Sequence, residues 1–407
     1  MPVRAQSWIG QSDGGKSLLD ALTYVVKPED LRAAAADPLG VDSLLPKIWE
    51  MNSAADVNSL INLLRGLVPT ADSIAGSSLP HCVAVMRDLG LFVGSIKRHG
   101  VEPVDAVPEL EAPLLMVGER TGMIPRDTVH HYIGWNPTGA RERMYTGDCM
   151  ERMLMSSVRV TLSRLTAAVE LCQQLERLEP HELKFAVAAN ELVALLRSLE
   201  DAIDIVIANV TPEFFARTMR PYFEEIRVGG VTYLGPAAAH VPLSLIDLGL
   251  WACDFPETAY EDFWRESASY GLPPWKSLYE RWATGPSLVT RVTSALGSIP
   301  TDQTPPNLRA SAEALSRALR ALVVFRGKHF TVARNAYAEE IRLYSLGSGG
   351  GSLDLLAQVT ALTRENAMLL RESFARGHRV TGPAHTIEPA GDAKKEAAPG
   401  YQQGVGA

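Results

Sequence analysis

A single helical stripe constrains this chain more than any other feature. Leu308, Ala312, Leu315, Leu319, Leu322, Arg326, His329, Ala333 and Ala336 succeed one another in steps of three and four, the spacing that keeps side chains on one face of a 3.6-residue helix. It predicts one long amphipathic helix over residues 308–336. The stripe is apolar except in its C-terminal third, where Arg326 and His329 face the way the leucines face. A buried imidazole and a buried guanidinium one turn apart need partners. One species supplies both: a haem, with iron for the imidazole and a propionate for the guanidinium. The plainer alternative is a satisfied core histidine, the commoner fate of a lone His on an apolar helix face.

The segment after this helix narrows the choice. Beyond Tyr337 and a short polar segment comes Leu346-Gly347-Ser348-Gly349-Gly350-Gly351-Ser352, then a second amphipathic helix over residues 353–375. Glycines around one serine let a backbone approach a ligand and close over it. They also suit a flexible linker with Ser352 as the N-cap of the next helix.

Composition sets the outer bounds. With 407 residues and 46% hydrophobic content, the chain can bury a large core. Its net charge of -8 and scattered Lys and Arg offer no basic patch for nucleic acid. No apolar run approaches the roughly 18 residues of a membrane span, and Met1-Pro2-Val3-Arg4 opens no signal peptide. Cys82, Cys149, Cys172 and Cys253 are far apart, without a CxxC pair, as in a cytoplasmic protein with reduced thiols.

Strand signals are few and short and no repeat is evident, so the expected fold class is all-α. Residues 1–40 read as an extension with short helices over 17–26 and from Pro28, and without assigned chemistry. Val57, Leu60, Ile61, Leu64 and Val68 form a helical stripe. Gly100 ends another helix, which makes His99, beside Lys97 and Arg98, a helix-end cation rather than a ligand. His130 and His131 point to different faces and are not a metal pair. Long helices are expected over 151–178 and, as two pieces separated near Phe185, over 180–210. Residues 385–407 have the composition of a disordered tail.

Several literal stretches carry a resemblance. Phe325-Arg326-Gly327-Lys328-His329-Phe330 with the Gly347-Ser348-Gly349-Gly350 loop is similar to the proximal half of the indoleamine 2,3-dioxygenase superfamily. Met86 to Pro103, Trp135-Asn136-Pro137-Thr138 and Tyr145-Thr146-Gly147 resemble blocks of the monodechloroaminopyrrolnitrin synthase family within it. The likeness runs over about residues 41–371. It implies a small helical domain over 41–150 and a large helical haem domain over 151–384. His329 would be the proximal iron ligand of a haem b and Arg326 a propionate partner. Ser348 and Tyr337 align with residues at the substrate, with Gly347 and Gly349 beside the cofactor. Gly147-Asp148-Cys149 leads by the superfamily's fixed step to Ser157, a distal serine. Phe215 and Arg220 match an aromatic of the distal pocket and an arginine that clamps the substrate carboxylate. Arg227 and the glycine turn after it are expected to turn toward the haem edge. For Ser157 the plain reading is a hydroxyl bonded within its own helix. For Arg220 and Arg227 it is pairing with Glu224 or Glu225.

The implied reaction converts tryptophan or 7-chlorotryptophan into an aminophenylpyrrole, with loss of carbon dioxide, in antibiotic biosynthesis. Atom counting shows that two hydrogens are also lost. Hydrogen peroxide balances this directly, whereas dioxygen requires two electrons from a reductase partner. The alternatives are an indole-ring dioxygenase giving an N-formylkynurenine-type product, and a haem-binding sensor or helical interaction protein without turnover.

Overall fold

The computed structural model describes residues 28–236, 242–256 and 258–375. The expected helix over 17–26 and the tail over 385–407 lie outside them. Among the described residues the architecture is all-α apart from one small hairpin.

The first layer holds α1 (Pro28–Ala35), α2 (Leu45–Ser53), α3 (Val57–Leu67), α4 (Ala71–Gly76), α5 (Leu79–Arg98), α6 (Pro103–Ala106) and α7 (Glu111–Thr121). α5 is long and apolar enough to cross a membrane, but it is mostly buried and is the core helix of this layer. It approaches its neighbours closely through Gly94, where a Cβ would stand 2.7 Å from the Tyr145 ring. Gly100 comes just past its end with φ +78, and His99 is its C-cap. The segment around α1 is clamped on: Arg87 donates to the carbonyls of Ala33 and Ala36, Arg143 pairs with Asp37, and the Trp135 indole donates to Asp30. His130 and His131 are buried against Trp135. No group of three or more His, Cys, Asp or Glu among the described residues could hold a metal.

The second layer contains α8 (Cys149–Glu176), α9 (Leu183–Leu196), α10 (Ser198–Asn209), α11 (Leu243–Leu250), α12 (Ala259–Ser267), α13 (Pro273–Trp282), α14 (Leu288–Gly297), α15 (Pro306–Ala336) and α16 (Leu353–Ala375). Asp148 caps α8 by accepting from the Met150 N–H at 2.7 Å, and Glu151 adds negative charge to the first turn. The break between α9 and α10 falls at Arg197, not near Phe185. Arg197 is no helix breaker; the chain tightens there into a turn in which the Glu200 N–H bonds the Arg197 carbonyl at 2.9 Å.

α15 is the long helix of the stripe. Leu308, Ala312, Leu315, Leu319 and Leu322 are fully buried, packed against α16, α9 and α10. Burying a leucine of this kind stabilises by about 1.5–3 kcal/mol, so the N-terminal two thirds of α15 is fixed by its core face. Between the layers lie a π-helical turn (Phe214–Met219) and the hairpin β1 (Ile226–Val228) and β2 (Val231–Tyr233). Gly229 and Gly230, at φ +61 and +77, make its tight turn.

Candidate active site

Beyond Arg326 the stripe on α15 opens onto a cavity of about 620 Å³, within the roughly 300–1,000 Å³ usual for cofactor and ligand sites. α8 and α10 form one wall through Leu154, Val158, Ile203 and Val206, and α16 another through Leu355 and Val359. The glycine loop between α15 and α16 closes it through Gly347, Ser348, Gly349 and Gly351. No Asp or Glu lines this space among the described residues.

His329 faces the cavity, and its ring stacks on Phe325 at 5.5 Å. It makes no protein hydrogen bond among the described residues. It is an exposed residue on the cavity lining. Desolvation, helped by the Arg326 charge, pushes its pKa down to about 4. The imidazole is therefore neutral near pH 7, with a free lone pair, as an iron ligand must be.

Arg326 is paired within the protein. Its Nη1 donates to Thr363 Oγ1 at 2.5 Å and its Nη2 to the buried carboxylate of Asp247 on α11. Asp247 also accepts from the Tyr260 hydroxyl and from Trp251 Nε1. The guanidinium touches the cavity lining, but its charge is spent on Asp247. Arg227 is likewise not at the cavity. The alternation of β1 turns it outward, where it pairs with Asp105 at 2.9 Å with most of its side chain exposed.

Tyr337 is the C-cap of α15 and lines the cavity. Its Oη has no hydrogen-bond partner. Burial raises its pKa, while the nearby Arg220 guanidinium and the Ser348 N–H act in the opposite sense; neither reaches hydrogen-bond geometry. Arg220 is not on the cavity wall. Its guanidinium lies over the Tyr344 ring, 4.2 Å from the centroid, with Nε and Nη1 unpartnered. The loop that carries Tyr344 is tied down by Arg217, which donates to the carbonyls of Glu340 and Ile341. Glycine is needed in the closing loop: a Cβ on Gly347 would stand 3.0 Å from the Gly351 carbonyl oxygen, and Gly350 has φ +83.

Ser157 and Phe215 both line the cavity. The Ser157 hydroxyl donates to Leu154 O at 2.7 Å within α8, so toward a ligand it can only accept. The structure thus brings His329, Arg326, Tyr337, Gly347, Ser348, Gly349, Ser157 and Phe215 to one space, and leaves Arg220 and Arg227 off it. Sequence reasoning missed Asp247, which no local pattern ties to Arg326, and Lys328, which also lines the cavity.

The model of the monodechloroaminopyrrolnitrin synthase PrnB family matches residues 35–380. The chain belongs to that family. Monodechloroaminopyrrolnitrin synthases are haem-dependent oxidative enzymes of pyrrolnitrin biosynthesis that rearrange a tryptophan-type substrate, so this chain is a haem-dependent oxidoreductase. The residues present fit a haem. A neutral unpartnered imidazole faces a largely apolar cavity with no Asp or Glu in its lining among the described residues, and the loop across it is tight at Gly347 and left-handed at Gly350.

Proposed function

We propose that this monodechloroaminopyrrolnitrin synthase family member acts in the cytoplasm on tryptophan or 7-chlorotryptophan, joining the indole-to-phenylpyrrole rearrangement to loss of carbon dioxide. The observation that carries this reading is the His329 imidazole, neutral and without a protein partner, on the wall of the cavity. His329 would hold a haem there, and the haem would supply the redox chemistry.

The chain's own residues do the rest. The apolar walls on α8, α10 and α16 exclude water and take the indole. Phe215 packs on the ring. Ser157 Oγ, its proton already given to Leu154 O, accepts from the indole N–H. Tyr337 Oη, free of partners, donates to the polar end of the amino acid together with the Ser348 hydroxyl. Arg220 acts through Tyr337, favouring a negative charge beside it. Neutral donors hold a carboxylate less firmly than an arginine fork does, and a carboxylate that must depart as carbon dioxide should be held that way. This favours rearrangement over plain dioxygenation.

The balance closes with hydrogen peroxide: tryptophan and peroxide give the aminophenylpyrrole, carbon dioxide and two waters. With dioxygen, two electrons and two protons must come from a reductase. Incubation of the haem-loaded protein with 7-chlorotryptophan, with peroxide or with dioxygen and a reductant, and then mass analysis, tests the reading. It expects a product lighter by carbon dioxide and two hydrogens. A product two oxygens heavier would instead identify an indole-ring dioxygenase.

A further inference from the structure

A haem brings two carboxylates, and neither arginine expected for them is free. Arg326 is neutralised by Asp247, and Arg227 stands outside. Among the described residues one other Lys or Arg lines the cavity, Lys328. Its Nζ contacts both carboxylate oxygens of Asp204, at 2.7 and 2.8 Å. Asp204 is on α10 and is not among the lining residues, so the lysine faces the cavity and its counter-ion does not. The pair is half open to solvent, with side-chain exposures of 35% and 58%, and exposed pairs of this kind are worth little.

Position on the helix adds a second argument. At about 100° per residue, Lys328, Thr331 and Asn335 fall along one edge of α15. Arg326 falls on the opposite flank of His329. All three edge residues line the cavity. The Lys328 ammonium and the Asn335 amide N–H, along one edge beside a solvent-accessible rim, suit a carboxylate, whereas the Thr331 hydroxyl already donates to Gly327 O at 3.2 Å and only spaces them.

We propose that Lys328, with the Asn335 amide beside it, binds a haem propionate, and that Asp204 holds the lysine at the rim until haem displaces it. The proposal rests on the haem reading of His329. It assigns Asp204 an opposing role: a competitor for the same ammonium.

The test is haem release from the loaded protein into excess apomyoglobin, monitored at the Soret band, for wild type, Lys328→Met and Asp204→Asn. Lys328→Met keeps the apolar stem and should release haem about tenfold faster, which corresponds to about 1.4 kcal/mol. Asp204→Asn frees the lysine and should slow release by roughly threefold, since it removes only an exposed pair. With haem dimethyl ester, which lacks the carboxylates, both differences should vanish. Release from Lys328→Met at the wild-type rate overturns the proposal. So does faster release from Asp204→Asn, which would make the ion pair a brace between α10 and α15. A wild-type chain without a Soret band would overturn the haem reading itself. A normal band with unchanged release overturns the propionate assignment alone.

Discussion

Replacing Arg326 by methionine separates two accounts of that residue. If a propionate were its partner, the haem-free protein would lose nothing but an unpaired buried cation and would become more stable. The structure pairs Arg326 with Asp247 instead. Both side chains are at most 3% exposed, so Arg326→Met leaves a buried carboxylate with only the Tyr260 hydroxyl and Trp251 Nε1 as donors. Breaking one side of such a pair costs about 3–5 kcal/mol. Taking an unfolding entropy of about 2.1 cal/mol/K per residue over 407 residues, Tm should fall by about 3.5–6 °C. Calorimetry of the haem-free protein measures this directly. The double variant Arg326→Met/Asp247→Leu removes the stranded charge and should recover most of the loss, because well-packed apolar replacements of buried pairs are near neutral. A single variant with unchanged or raised Tm, or a double variant no better than the single one, would refute the reasoning.

Two further outcomes are expected from the same structure. The Tyr337 hydroxyl has no protein partner, so Tyr337→Phe should leave stability unchanged within about 0.5 kcal/mol while lowering kcat on an indole amino acid; thermal melts paired with turnover measure both. His130 is buried against Trp135 and Trp275, and desolvation holds its pKa down to about 4. The unfolded chain, near 6.5, then binds the extra proton between pH 4 and 6.5, so stability rises with pH across that window by up to about 3 kcal/mol. Asp127, raised to about 6 by burial, acts with the opposite sign: its share is present at low pH and lost as pH rises through 6. Denaturation of His130→Gln against wild type at pH 5 and pH 7 cancels the Asp127 share. It should show the variant relatively more stable at pH 5 than at pH 7.

The long helix, the glycine loop and the closing helix were legible because periodicity, proline and glycine are local signals. Pro306 stands in the first turn of α15, and the apolar stripe predicts its bounds within two residues. The stripe also shows that Arg326 turns inward. It cannot show which partner waits there, because Asp247 arrives from another part of the chain. Arg227 was misplaced for a related reason. The sequence near Gly229-Gly230 reads as a turn, but whether a three-residue strand directs its arginine in or out depends on what packs beside it. The break at Arg197 lay hidden in a continuous apolar stripe, since no residue there disfavours helix. Lys328 was overlooked because a lysine beside a histidine looks like an ordinary solvated position until the neighbouring helix and the cavity rim are seen.

The central claim is that His329 is the protein's ligand to iron. The most direct measurement is the visible spectrum of the purified chain with one equivalent of haem, beside that of His329→Ala prepared identically. The account predicts a Soret band of an imidazole-ligated five-coordinate haem in the wild type, and loss of haem, or a spectrum restored only by added imidazole, in the variant. A variant that keeps the wild-type spectrum without imidazole would contradict it.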